Sequence, residues 1–157
     1  MKPNSTLFLK IVLILMGLAV LTGVLWEPHL EGRNTNAGFI TIYFYDPFLV
    51  YIYLGTIPFF FALYQAFKLL RYVEQNKTFS QDSVRALRNI KYCALIIVGL
   101  VSALIPYAFF VAEEAPPLVV MSLVVIFTST VIAVFAALLQ KLFQNAVDIK
   151  SENDLTV

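Results

Sequence analysis

Residues 68–91, KLLRYVEQNKTFSQDSVRALRNIK, form the longest stretch of this chain without a hydrophobic run, and two hydrophobic stretches lie on either side of it. Only 13% of the 157 residues are charged, whereas about a quarter of a soluble domain is charged. Because so few polar side chains cannot cover a water-facing surface, lipid must surround much of the chain. The pattern predicts an all-α polytopic membrane protein with four transmembrane helices in a 2+2 arrangement. The segment 68–91 is then a basic cytoplasmic segment between spans two and three.

Four stretches are long and apolar enough to be membrane spans. About twenty helical residues rise about 30 Å, the thickness of the hydrocarbon layer. A cleaved signal peptide with Lys2 as its charged start is the alternative for the first stretch. The long apolar run, Trp26 at its end and the lack of an A-x-A-type cleavage site favour a span. Pro58 and Pro106 predict kinks in the second and third spans. The four spans cover about 7–26, 48–67, 92–112 and 117–139.

Two segments outside the spans carry further predictions. Residues 39–45, FITIYFY, are β-branched and aromatic, so they form either a short strand or an aromatic segment at the membrane interface. The cytoplasmic tail 140–157 begins with an apolar helical stripe and ends in the polar sequence SENDLTV, which we expect to fray unless it is bound.

The basic segment contains a helix start. Ser80 is a favourable N-cap, and the residues at three-residue spacing after it, Arg85, Arg88 and Lys91, are expected to share one side of the helix. These cations either anchor the segment to anionic lipid or bind a cytoplasmic protein. Ser80, Arg85, Arg88 and Lys91 are therefore the candidate partner-binding residues.

Small residues at helical spacing predict where helices approach one another. One pair lies in the third span and a longer ridge in the fourth, and either could also support a homo-oligomer. The predicted helix-packing residues are Gly99 and Ala103 in the third span, and Ser129, Ala133 and Ala137 in the fourth.

The distribution of basic residues predicts the orientation of the chain. If the segment 68–91 is cytoplasmic, ten of the eleven lysines and arginines lie inside and Arg33 alone lies outside. Such an asymmetry over short loops favours this topology. We therefore expect a cell (inner) membrane location with both termini in the cytoplasm.

Catalytic chemistry finds little support in the sequence. Neither G-x-S-x-G nor H-E-x-x-H occurs, and no charged residue lies near the middle of a span, which argues against a proton-coupled pump. We expect no enzyme activity, no cofactor and no direct contact with nucleic acid. A divalent cation on the outer face is a weak alternative to simple solvation of the acidic residues there. Its candidate ligands are Glu27, His29, Glu113 and Glu114.

The string Phe79-Ser80-x-x-Ser83-Val84-Arg85-x-Leu87, which leads into Ile90 and Ala94, resembles the YoaS-like family of small bacterial membrane proteins. The closing residues 152–157, ENDLTV, are also similar to that family's usual ending. The resemblance implies four spans, no assigned catalytic residues and a neighbouring gene for a small helix-turn-helix regulator.

Two functions follow as hypotheses. The first is a binding or regulatory module that recruits a cytoplasmic partner, such as the helix-turn-helix regulator, through the basic segment and the tail. The second is a small transporter or channel component, in which Pro58 and Pro106 mark broken helices.

Overall fold

The computed structural model describes residues 3–30, 47–110 and 115–156, which are helical apart from residues 75–80 and Ala103. No strand occurs within these ranges, which confirms the all-α prediction. The question of a strand at 39–45 lies outside the described residues. The helices are α1 (Pro3–Leu30), α2 (Pro47–Glu74), α3 (Gln81–Ser102), α4 (Leu104–Phe110) and α5 (Ala115–Thr156).

Four helical stretches are long and apolar enough to cross a membrane, and α3 and α4 together make the third of them. Large apolar side chains cover the outside of these stretches: Phe8 is 65% exposed, Phe127 72% and Phe110 86%. In water a continuous surface of this kind would aggregate, so the solvent for it is lipid. The chain is therefore a multi-pass membrane protein.

The described helices pack as a row. α1 contacts α2, α2 contacts α3, and α3 makes its largest contact with α5. Two spans precede and two follow residues 75–80 in chain order. In space, however, the helices do not divide into two separate pairs, because α2 packs on α3 across that boundary.

Small side chains are buried on both α3 and α5, the two helices that make the largest contact with each other. Such residues let two helix backbones approach closely. On α3 they are Ser83, Ala86, Cys93 and Ala94, and on α5 they are Ser122, Ser129, Ala133 and Ala136.

The buried face of α5 runs through Ala136 rather than Ala137, which is only half-buried. At about 100° per residue, seven residues return within about 20° of the starting direction, whereas eight overshoot it by about 80°. Counting forward from Ser129 in steps of four therefore drifts off the contact, and a step of seven stays on it.

The two prolines of the spans behave differently. Pro58 lies inside α2, which continues through it. The third span breaks: α3 ends at Ser102, four residues before Pro106, and α4 begins at Leu104. Proline lacks an N–H and its ring clashes with the carbonyl four residues earlier, which explains the position of the break.

The α5 helix is longer than its predicted span. It contains 42 residues and continues to Thr156, so the expectation that the tail frays is wrong for the described part of it. No glycine or proline occurs between residues 118 and 156 to end the helix. At 1.5 Å per residue α5 is about 63 Å long, roughly twice the hydrocarbon thickness.

Candidate functional site

The turn between α2 and α3 is a closed helical hairpin. Asn76 has φ 59°, the left-handed conformation common after the end of a helix. Its N–H donates to the Val73 carbonyl over 3.2 Å, and the Lys77 N–H donates to the Tyr72 carbonyl over 2.7 Å. These two bonds make a Schellman motif, which satisfies carbonyls at the end of α2 and sets the direction of the turn.

The start of α3 is fastened to the same turn by two serines. Ser80 is the N-cap, and its Oγ accepts from the Ser83 N–H over 3.3 Å, which confirms the predicted cap. The Ser80 Oγ also donates to the Lys77 carbonyl over 2.7 Å, and the Ser83 Oγ donates to that carbonyl over 3.0 Å. Ser83 is completely buried. Sequence reasoning treated Ser83 only as part of a family string, although it lies at the centre of the hairpin.

The basic residues of α3 differ in exposure. Arg85 is exposed, whereas Arg88 and Lys91 are half-buried. Three residues turn an α-helix by about 300°, which is about 60° short of a full turn. The three side chains are therefore spread over an arc of about 120° and share one side of the helix only in part. The Lys91 Nζ lies 4.9 Å from the ring centroid of Tyr92, which is a cation–π contact. Neither arginine forms an ion pair with any described residue.

The end of α5 packs beside this hairpin. Phe79, just before the cap, meets Phe143 edge to face with ring centroids 5.1 Å apart. The Gln81 Nε2 donates to the Gln144 Oε1 over 3.3 Å. The turn, the first half of α3 and residues 140–150 of α5 therefore form one surface. We call it the hairpin surface and define it by residues 75–91 and 140–150.

An ion pair joins α1 to this end of the protein. The Lys10 Nζ lies 2.8 Å from the Glu74 Oε2, and both side chains remain partly exposed. The pair connects the start of the first span to the end of the second, as antiparallel neighbours require. A lysine early in the first span and a glutamate shortly after the second are compatible with this contact but do not specify it.

Comparison with known proteins places the chain in a family. Residues 32–157 match the family described as protein of unknown function (DUF2975). The chain belongs to this family. It is also 52% identical, over the full length of both chains, to the uncharacterized membrane protein YoaS of Bacillus subtilis (strain 168). The predicted YoaS-like membership is thus confirmed, and the membrane assignment agrees with the relative's name. No solved structure matches the chain significantly.

The other predicted packing residues of this DUF2975 protein differ in how deeply they are buried. Ser129 and Ala133 are 7% and 5% exposed, so both are buried on α5, whose largest contact is with α3. Gly99 and Ala103 are exposed, and apart from the neighbouring residues and backbone of its own helix no heavy atom lies within 4 Å of where a Gly99 Cβ would stand. Ala103 caps the end of α3. Packing at Gly99 and Ala103 would need a surface from outside the described chain, so it stays a prediction.

The side chains of the four candidate cation ligands lie outside what the structure describes. Glu27 and His29 lie in the last turns of α1, where the structure describes the helix but not the side chains. Glu113 and Glu114 lie outside the described residues. Among the residues that are described, no group of three His, Cys, Asp or Glu side chains gathers as metal ligands would.

Proposed function

We propose that this protein is a non-enzymatic module of the bacterial inner membrane that recruits a cytoplasmic protein through the hairpin surface. The observation that carries the proposal is that the guanidinium groups of Arg85 and Arg88 have no acidic partner among the described residues. Both arginines stand on a helix whose start is capped. The predicted excess of basic residues on this side supports a cytoplasmic position for the surface and for both termini.

The physical case rests on geometry as well as charge. A guanidinium group binds a carboxylate through two parallel N–H···O bonds, which an ammonium group cannot do. The Schellman motif and the Ser80 cap hold the first turns of α3 in place before binding, so less entropy is lost on association. The expected partner is a soluble protein with a carboxylate-rich patch. The helix-turn-helix regulator implied by the family resemblance is the first to test.

The decisive experiment compares charge-conserving variants. Replacing Arg85 and Arg88 with lysine keeps the charge and removes the bidentate geometry. Hydrogen bonds to charged groups contribute about 1.5–3 kcal/mol each, so losing one weakens recruitment about tenfold or more. The measurement is recovery of the partner from cell lysate on the purified full-length protein. Arg71→Lys, on α2 outside the hairpin surface, makes the same chemical change at an exposed position and is the matched control, which should recover the partner like the wild type.

Two outcomes would contradict recruitment and would mean that these cations only anchor the segment to anionic lipid. One is equal recovery of the partner by the wild type and the Arg85→Lys, Arg88→Lys variant at matched expression. The other is recovery of no soluble protein by either. Ser80→Ala should act in the same direction as the double variant, because losing an N-cap costs about 1 kcal/mol.

A second function has one specific observation in its favour. Transporters place their substrate sites where membrane helices are discontinuous, and the third span breaks between Ser102 and Leu104. Beside this break the Tyr51 hydroxyl donates a hydrogen bond to the Leu100 carbonyl. A small transporter would carry a bound small molecule through mild detergent purification, whereas a recruitment module would carry a protein. Mass spectrometry of the purified complex distinguishes the two.

A further inference from the structure

An apolar groove runs between α1 and α2 on the lipid-facing side of the protein. Its cavity volume is about 340 Å³. Ile14, Leu18 and Leu21 are 49%, 54% and 43% exposed, so this wall of the groove lies open to lipid. The opposite wall is formed by Phe60, Leu63 and Phe67 of α2.

Two cations close one end of the groove. Lys68 and Arg71 belong to its lining, and neither forms an ion pair with a described residue. Nearby, Glu74 is already neutralised by Lys10. This end of the groove is therefore net positive, while the remainder offers hydrocarbon contacts.

The groove has the length of one leaflet. From Phe60 to Arg71 the α2 axis rises about 16 Å at 1.5 Å per residue. That is close to half of the roughly 30 Å hydrocarbon thickness. A lipid acyl chain starts at its headgroup and ends near the middle of the bilayer, so its extent matches this groove.

We infer that this groove binds an anionic phospholipid, with one acyl chain between α1 and α2 and the headgroup phosphate on Lys68 and Arg71. The site differs from the hairpin surface, because it faces the lipid rather than the water. The recruitment proposal can fail while the lipid site stands, and the lipid site can fail while recruitment stands.

The test is a titration of delipidated full-length protein in detergent, followed by native mass spectrometry. The probes are phosphatidylglycerol, which is anionic, and phosphatidylcholine, which is not. Wild type should bind phosphatidylglycerol more tightly. A basic residue near an anionic lipid contributes about 1 kcal/mol, so Lys68→Gln with Arg71→Gln should weaken phosphatidylglycerol binding about 30-fold at 1.4 kcal/mol per factor of ten. Phosphatidylcholine binding should weaken much less, because the choline cation of this lipid offsets the charge of its phosphate.

Two further variants locate the lipid. Lys141→Gln with Lys150→Gln removes the same charge from α5, away from the groove, and should leave both affinities unchanged. Leu18→Trp fills the groove from its exposed wall and should weaken both lipids. Equal wild-type affinity for the two lipids, an equal loss in the α5 variant, or unchanged binding in Leu18→Trp would each overturn the assignment.

A second variant tests the same site if the glutamine variant does not fold. If circular dichroism shows lost helix in the glutamine variant, Lys68→Arg with Arg71→Lys replaces it, since that change keeps both charges. It should retain the preference for phosphatidylglycerol, and loss of that preference in a folded protein would contradict the assignment. Inorganic phosphate should not compete, because the acyl chain supplies part of the binding. Full displacement by phosphate would mean that a free anion site, not a lipid site, lies at this end.

Discussion

Replacing Ala136 with leucine tests the packing of α5 on α3. Ala136 is 4% exposed, and the buried residues of α3 are themselves mostly small. Leucine adds three carbon atoms where the close approach of the helices leaves little room. Such overpacking costs typically 1–3 kcal/mol, because side chains leave their rotamers or the backbone shifts.

The expected result is a lower melting temperature. For a protein of about 150 residues, 1 kcal/mol corresponds to about 2–4 °C, so Ala136→Leu should lower the melting temperature by about 2–12 °C. Far-UV circular dichroism in mild detergent measures it. Ala19→Leu makes the same chemical change at an exposed position of α1, and it should stay within about 0.5 kcal/mol of the wild type.

A third variant separates the structure from the sequence pattern. Ala137 is half-buried, so Ala137→Leu should lower the melting temperature less than Ala136→Leu. The reasoning would be refuted if Ala136→Leu behaved like Ala19→Leu while Ala137→Leu gave the larger loss. Ala137 rather than Ala136 would then face α3, in line with the four-residue spacing of Ser129, Ala133 and Ala137.

Three more predictions concern topology and two local contacts. With the native cysteine removed, a cysteine at Asn36 should react with an impermeant maleimide in intact cells and one at Gln75 should not; the reverse pattern would overturn the orientation. Asn76→Gly should preserve thermal stability, whereas Asn76→Ala should cost about 1 kcal/mol, because a side chain without a local hydrogen bond disfavours the left-handed conformation. Tyr51→Phe should lower stability by about 0.5–1.5 kcal/mol, since the Leu100 carbonyl loses its donor. An unchanged unfolding curve would show that this carbonyl is satisfied in another way.

The sequence alone determined the solvent of this protein and the four helical stretches that are long and apolar enough to span a membrane. A hydrophobic content of 60% over 157 residues forces most of the surface into lipid, and lipid permits only helices where closed barrels are not encoded. The Ser80 cap was also predictable, because capping depends on residues adjacent in the chain. Such features need no knowledge of which helix lies beside which.

Tertiary structure decided the contacts between helices. Whether Ala136 or Ala137 faces α3 depends on the helical repeat and on where the neighbouring helix lies. The Lys10–Glu74 pair joins residues 64 positions apart, which no local pattern connects. The groove that ends at Lys68 and Arg71 exists only because α1 and α2 are antiparallel neighbours. Local chemistry sets the helices and their ends, whereas packing between distant segments sets the surfaces on which a partner or a lipid can bind.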